Sequence, residues 1–341
     1  MKILLVKLSS LGDVVHTLPV VQDILAAMPD AQIDWVVEKS FAPLLAMNPG
    51  LHRVIPCEIR RWCKTLFSAT TRSEWRAFKT QLLLEAYDAV IDLQGLTKSA
   101  VVSRLVRLAP NGKRFAMANQ TEGSGYEAPT RWLADVAIEM RPHIHAVQRS
   151  RELAARALGY SIGDSINSNP DFGLNMPVAQ SLRLSGTIKN IAFVHGTSRA
   201  DKEWPIHHWV ELGVRLVASG CRIVLVHGSA HELAVSQAIG QQLGAAHCVV
   251  WPLLALDELT RQLAQCAGVI GVDSGVSHIA VALGLPHVQI YNFDTAWRTG
   301  PDSFSAGAGG KGARQLSVFA QPAPGVDAVW QAWQACAGGM P

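Results

Sequence analysis

Four groups of residues along the chain could do chemistry. Asp13 follows the apolar run Ile3-Leu4-Leu5-Val6 across a short Ser9-Ser10-Leu11-Gly12 loop, where a helical pattern begins. An α/β fold carries its reactive groups at such strand-to-helix turns, and a carboxylate placed there can take a proton from a hydroxyl nucleophile. The competing reading is plain N-capping, in which Asp13 accepts a backbone N–H of the first helical turn. The loop lacks GxGxxG, so the dinucleotide fingerprint is absent and a nicotinamide oxidoreductase is disfavoured.

The second group is the loop His195-Gly196-Thr197-Ser198-Arg199-Ala200-Asp201-Lys202-Glu203-Trp204-Pro205. Its hydroxyls and Lys202 could bind a diphosphate, with the ammonium neutralising charge on a departing pyrophosphate; otherwise it is a solvated loop before a Pro-started helix. The third, Gly271-Val272-Asp273-Ser274-Gly275-Val276-Ser277-His278, runs from a strand end into a helix start. Small residues there expose N–H groups whose partial positive charge suits a phosphate, while His278 also reads as a hydrogen-bonded structural histidine. No HExxH or CxxC spacing occurs, so no metal site is expected.

The fourth group is basic. Residues 51–80 hold seven cationic side chains (Arg53, Arg60, Arg61, Lys64, Arg72, Arg76, Lys79) against Glu58 and Glu74, with Trp62, Phe67, Trp75 and Phe78 interleaved. An anionic small acceptor or an anionic membrane face fits this better than nucleic acid, for which no motif is present. The bland alternative is a solvated helix that buries Trp75, Phe78 and Leu82.

The elements that must position these groups follow from periodicity. The chain has 341 residues, 49% hydrophobic and 17% charged, enough to exclude disorder and to favour two domains. Net charge is +3, but residues 1–160 carry 20 Lys/Arg against 15 Asp/Glu while 161–341 carry 10 against 12, so the halves meet different partners. The excess of the first half sits in residues 51–80.

Strands are expected at Ile3–Val6, Ile33–Val37, Arg53–Pro56, Ala89–Asp92 and Arg114–Met117, with helices near 14–28, 64–85, 97–107 and 146–158. After a Ser/Asn/Pro/Gly-rich stretch a second series has strands at Asn190–Val194, Arg222–Val226, Cys248–Trp251, Val269–Val272 and His287–Tyr291. Its helices fall near 206–219, 230–243, 256–266 and 275–283, and Val326–Cys336 forms a closing helix. Such alternation implies two doubly wound parallel sheets with ligands at strand carboxyl ends. No apolar run reaches the ~18 residues of a membrane span, and Met1-Lys2 leads directly into a strand without a signal peptide, so a cytoplasmic protein is expected. The six cysteines, scattered without pairs, read as reduced and mostly core thiols.

Four segments in order, Lys7-Leu8-Ser9-Ser10-Leu11-Gly12-Asp13, Asp92-Leu93-Gln94-Gly95-Leu96-Thr97-Lys98-Ser99, Asp201-Lys202-Glu203-Trp204-Pro205 and Val272-Asp273-Ser274-Gly275-Val276-Ser277-His278, resemble one family over nearly the whole chain. It is the ADP-heptose:lipopolysaccharide heptosyltransferases, glycosyltransferase family 9. The resemblance implies a GT-B architecture of two Rossmann-like domains facing a central cleft: an acceptor-binding domain at 1–165, a linker at 166–188 and an ADP-heptose-binding domain at 189–325. A C-terminal helix at 326–341 is expected to pack back towards the first domain. The implied activity is inverting transfer of heptose from ADP-L-glycero-β-D-manno-heptose to the first Kdo of Kdo2-lipid A. ADP-heptose is then a substrate, and neither a cofactor nor a metal is implied. The enzyme would be a monomer, peripheral on the cytoplasmic face of the inner membrane, in transient contact with its anionic surface and not with nucleic acid.

Carried over by the resemblance, Asp13 is the catalytic base and Lys202, Thr197 and Ser198 hold the donor diphosphate. Ser274 and Gly275 supply helix-terminus contacts, Asp273 and His278 lie against donor sugar and phosphate, Glu232 takes the ribose hydroxyls, and Leu254 meets the adenine. Arg60, Arg61 and Lys64 receive the Kdo carboxylates and lipid A phosphates. Two departures stand out. Where the family often continues with an acceptor-binding Arg after Gln120-Thr121, this chain reads Glu122-Gly123-Ser124-Gly125-Tyr126, leaving Arg131 or Arg149 to compensate, and Ser274 replaces a common Thr. Rival readings are a second or third heptosyltransferase or another GT-B transferase with a different acceptor, a nucleotide-dependent oxidoreductase, and a non-catalytic sugar-nucleotide-binding protein.

Overall fold

The computed structural model describes residues 1–65, 67–162, 170–174, 188–301 and 314–338. It divides into two compact units, Met1–Ile166 with Pro170–Gly173, and Asn167–Asn169 with Leu174–Pro341. Most of the linker expected at 166–188 lies outside the described residues.

The first unit is built on six parallel strands: β1 (Lys2–Val6), β2 (Gln32–Glu38), β3 (Arg53–Cys57), β4 (Ala86–Asp92), β5 (Arg107–Met117) and β6 (Val136–Ile138). Their spatial order is β3-β2-β1-β4-β5-β6. The second repeats the plan with β7 (Lys189–Val194), β8 (Cys221–Leu225), β9 (Cys248–Val250), β10 (Gly268–Val272), β11 (His287–Tyr291) and β12 (Gln315–Phe319), ordered β12-β11-β10-β7-β8-β9. Counted from its own first strand, each sheet runs 3-2-1-4-5-6, the dinucleotide-fold order. The direction of winding reverses between β1 and β4, and again between β7 and β10. Those two points are where such sheets bind ligands.

The central strands form because their apolar runs are buried on both faces. Ile3, Leu4, Leu5 and Val6 are all fully buried, and so are Val269, Ile270 and Val272 of β10. Gly271 is required there by space: a Cβ would sit 2.3 Å from Ser277 Oγ and 2.8 Å from Val194 Cβ. A larger residue would push the switch-point turn of the second sheet off its neighbour.

Several expectations shift. The edge strands β6 and β12 were not foreseen. The helix expected near 64–85 begins at Ala69, because Ser68 caps it by accepting the Thr71 N–H at 3.1 Å; a separate short helix, Ile59–Trp62, precedes it. The closing helix Val326–Ala337 buries Val329, Trp333 and Cys336 in the core of the second unit, with Ile270, Val288 and Ile290. Its apolar face packs on β11 and β12. Cys57, Cys248, Cys266 and Cys336 are buried free thiols, whereas Cys63 is exposed. Among the described residues no helix is long and apolar enough to cross a membrane.

Candidate functional site

At the switch point of the first sheet, the chain leaves β1 through Lys7 to Ser10 and enters the helix Leu11–Thr17. Ser10, not Asp13, is the N-cap. Asp13 stands at the third helical position and reaches back, so that its Oδ2 accepts the Ser10 N–H at 3.1 Å and the Ser10 hydroxyl at 2.9 Å. That leaves Oδ1 directed at two cations, Lys7 Nζ at 3.8 Å and Arg149 Nη2 at 4.0 Å, while the carboxylate keeps 37% of its surface exposed. Burial alone would raise its pKa. Lys7, the Ser10 hydrogen bonds and Arg149 outweigh this, and the carboxyl lies below the usual range.

The cations are themselves fixed. Lys7 is 2% exposed and donates to Leu93 O at 2.9 Å; burial pulls its ammonium below the ordinary lysine range against the opposing pull of Asp13. Arg149 donates from Nη1 to Thr121 Oγ1 at 3.0 Å. The loop between them is pinned by Gln94, whose Oε1 accepts the Leu8 and Ser9 N–H groups, both at 3.1 Å. Beside it Asp92 is buried and takes hydrogen bonds from Gln94 N, Gly95 N and Ser99 Oγ; desolvation pushes it up to about 6. Its oxygens are occupied, so Asp13 is the carboxylate of this turn that solvent can reach.

The second switch point gathers most of the predicted donor residues. Lys202 Nζ lies 2.5 Å from Asp273 Oδ2, and His278 Nε2 lies 3.4 Å from Asp273 Oδ1. Asp273 is buried; burial raises its pKa, but His278 and Lys202 together hold it well below the usual carboxylate range. Thr197 Oγ1 donates weakly to Asp273 O at 3.5 Å, and Ser198 is exposed on the same loop. Ser274 caps the helix Gly275–Ala282 that Gly275 opens.

Glu232, in the first turn of the helix Ala230–Leu243, accepts the Gly228 N–H at 2.6 Å, and the loop after β7 presses on it: a Cβ at Gly196 would meet Glu232 Cδ at 2.4 Å. Thr197 and Glu232 are thereby neighbours of one bend. Leu254, half-buried, lies on the loop between β9 and the helix Leu256–Leu263. The turn is an assembly of hydroxyls, one ammonium and helix-end N–H groups. It suits a ligand with an anionic centre and a polyhydroxylated arm.

Of the basic segment, two cations are already spent. Arg53 forks onto the buried Asp34 with Nε at 2.9 Å and Nη2 at 2.6 Å, and Arg61 is shared between Glu58 at 2.8 Å and Glu74. Arg60 is exposed and donates to Ser9 Oγ at 2.9 Å, which ties the basic helix to the Asp13 loop, and Lys64 is exposed. The two candidate substitutes for the missing family arginine lie in different surroundings. Arg149 stands at Asp13, while the Arg131 guanidinium stacks 5.6 Å from the ring of Trp132.

Three residues with a part in the site escaped the sequence reading. Gln94 and Lys7 lie inside quoted motifs, but nothing local says which backbone they bind. Asn292 holds the Lys202 loop through Asp201 O at 3.1 Å and Glu203 O at 2.9 Å, a contact across the sheet without any motif. Among the described residues no group of three His, Cys, Asp or Glu side chains could hold a metal ion.

Comparison with known proteins supplies the rest. Residues 75–318 match the model of glycosyltransferase family 9 (heptosyltransferase). Lipopolysaccharide heptosyltransferase 1 of Escherichia coli strain K12 is 39% identical over 296 residues, 85% of this chain and 88% of that protein. Its namesake from Pseudomonas aeruginosa is 37% identical over 297 residues, 85% of this chain and 78% of the other. Among solved structures, E. coli heptosyltransferase WaaC with ADP superposes with a TM-score of 0.81 at 34% identity, covering 97% of this chain and 98% of that one.

Proposed function

Because the chain belongs to glycosyltransferase family 9, the heptosyltransferases, we propose that it adds the first heptose of the lipopolysaccharide inner core. The donor is ADP-L-glycero-β-D-manno-heptose, the acceptor the first Kdo of Kdo2-lipid A, and the anomeric carbon inverts. The observation that supports this best is the pair of equipped switch points: an ionised, solvent-reachable carboxylate in one sheet and a lysine with helix-end N–H groups in the other.

The chemistry follows from charge. As the Kdo hydroxyl oxygen attacks, the bond from the anomeric carbon to the phosphate oxygen breaks and its electrons go to ADP; the hydroxyl proton goes to Asp13. Lys202 and the N–H groups at Ser274-Gly275 stabilise the charge developing on the diphosphate. Asp273 would repel that diphosphate if it stood alone. Paired with Lys202 and His278 it acts as a positioning residue that aims the ammonium. Thr197 and Ser198 complete the diphosphate contacts, Glu232 takes the ribose hydroxyls and Leu254 the adenine.

On the acceptor side Arg60 and Lys64 receive carboxylate and phosphate, and Arg61 joins them by leaving one of its two glutamates. A basic surface of this kind is drawn to the anionic face of the inner membrane, where the enzyme works as a peripheral protein. The deciding assay offers ADP-heptose with Kdo2-lipid A or with core that already carries one heptose, and reads the product by mass. Product from Kdo2-lipid A alone is expected. Product from the heptosylated core alone would reassign the chain to a later step.

Lys7 gives a second test. Asp13 carries a pKa below its ordinary value, so its pairing stabilises the fold above the ordinary carboxyl range and is lost as pH falls through the lowered folded value. Lys7→Met removes the largest downward pull, and the acid limb of kcat/KM is expected to move to higher pH. A limb that stays in place would separate Lys7 from the catalytic carboxylate.

A further inference from the structure

β7 ends at Val194, and the next residue, His195, is buried beside the ring of Trp209, with the ring centroids 6.5 Å apart. Its Nε2 shares a 2.7 Å hydrogen bond with the hydroxyl of Ser236, which is fully buried on the helix Ala230–Leu243. The chemistry above does not use this pair. Both side chains are out of reach of a substrate, so they are not a nucleophile and its base. Burial pulls the imidazole down to about 4, with His227 and His231 adding to the shift, so the ring is neutral near neutral pH and the bond needs no charge.

What the pair controls is the presentation of Glu232. Ser236 stands four residues after Glu232, so the two lie on one stripe of the same helix. That stripe meets the turn after β7 at two consecutive residues. His195 bonds Ser236, and Gly196 lies so close to the Glu232 carboxyl that a Cβ there would come within 2.4 Å of Cδ. Breaking a buried hydrogen bond leaves both polar groups without water, so this one resists opening and holds the spacing at which Gly196 and Glu232 meet. Two further bonds fix the acid at the helix start: its N–H donates to Ser229 Oγ at 3.2 Å, and its Oε2 accepts the Gly228 N–H at 2.6 Å. A carboxylate with one oxygen pinned in this way has the other aimed.

We propose that the His195–Ser236 hydrogen bond positions Glu232, and that the spacing it sets makes the donor site select a ribonucleoside diphosphate over its 2′-deoxy counterpart. The proposal rests on the reading above in which Glu232 takes the ribose hydroxyls. A vicinal diol offers a carboxylate two donors, and loss of the 2′-hydroxyl leaves one. Hydrogen bonds to a charged acceptor weaken steeply with distance and angle, so a small shift of the helix lowers this discrimination first. The diphosphate contacts are spared because Lys202 and the Gly275 helix start belong to other elements.

The test is calorimetry with ADP and with 2′-deoxy-ADP on the wild type, Glu232→Ala, Ser236→Ala and His195→Phe. The wild type is expected to prefer ADP by about tenfold or more, the range of a hydrogen bond to a charged group. Glu232→Ala is expected to lose most of that preference. Ser236→Ala removes one buried oxygen and no carbon. It is expected to cut the preference about threefold or more through weaker ADP binding, while the dissociation constant of 2′-deoxy-ADP stays within about twofold. His195→Phe breaks the same bond from the other side and keeps a ring in place, so it decides the matter if Ser236→Ala folds poorly; the same selective loss is expected. A merely structural role would weaken both nucleotides alike. Equal weakening of the two, or an unchanged preference, overturns the proposal and leaves the ribose reading standing as long as Glu232→Ala abolishes the preference. No preference in the wild type, or one that Glu232→Ala retains, removes both.

Discussion

Asp13→Asn is expected to lower heptose transfer by about 10² to 10⁴ while leaving the dissociation constant of the donor unchanged, because the lost step is proton removal and not donor binding. Asparagine is the informative replacement. Its amide oxygen can still accept the Ser10 N–H that Asp13 accepts at 3.1 Å, so the start of the helix survives. Alanine would also delete that bond, and loss of a capping group costs about 0.5–2 kcal/mol, which mixes stability with catalysis. The neighbouring Asp92 offers no rescue, since it is buried and its oxygens already take three hydrogen bonds. Single-turnover transfer, with donor binding measured beside it, checks the prediction. Near wild-type turnover in Asp13→Asn would remove Asp13 as the base.

Lys202→Ala is expected to weaken ADP binding by about 10- to 100-fold, the range of one or two charge-assisted hydrogen bonds. The loss has two parts. One is the missing attraction to the diphosphate. The other is exposure of that diphosphate to Asp273, whose carboxylate loses the partner now 2.5 Å away. The second part makes a distinctive signature: Asp273→Asn should recover some ADP affinity in the Lys202→Ala background, although it weakens binding in the wild type by loosening Lys202. Calorimetry with ADP on the four chains of this cycle measures the coupling. An unchanged dissociation constant in Lys202→Ala would take the lysine out of the donor site, and strict additivity would take Asp273 out of its positioning role.

The legible parts of this protein were those written in consecutive residues. Ile3-Leu4-Leu5-Val6 announces a central strand because a parallel strand covered on both faces needs an unbroken apolar run, and all four side chains are indeed fully buried. β6 and β12 carry no such run. As edge strands they are short or half-exposed, and their alternation is too brief to stand out from a loop. The Gly275 helix start was legible because small residues at a strand end have few other uses. Asp13 was legible as a strand-to-helix carboxylate, but its place in the cap was not: Ser10 and Asp13 are both good capping residues, and only the path of the backbone decides which one takes the first position.

The basic segment shows the same division. Sequence alone counts Arg53 and Arg61 with the rest, yet the fold spends the first on Asp34 and the second on Glu58 and Glu74, and leaves Arg72 beside an apolar hollow. Charge is additive along a chain, but availability depends on which carboxylate the fold brings within a few ångströms. Two sheets, their parallel winding and the turns that carry chemistry were thus determined by hydrophobic periodicity and turn residues, which are local. The ionisation of Asp13 and the aim of Lys202 were decided only by the tertiary structure. Arg149 reaches Asp13 from a helix far along the chain and Asp273 reaches Lys202 from the turn after β10, and electrostatic energy depends on distance through space, not on distance along the sequence.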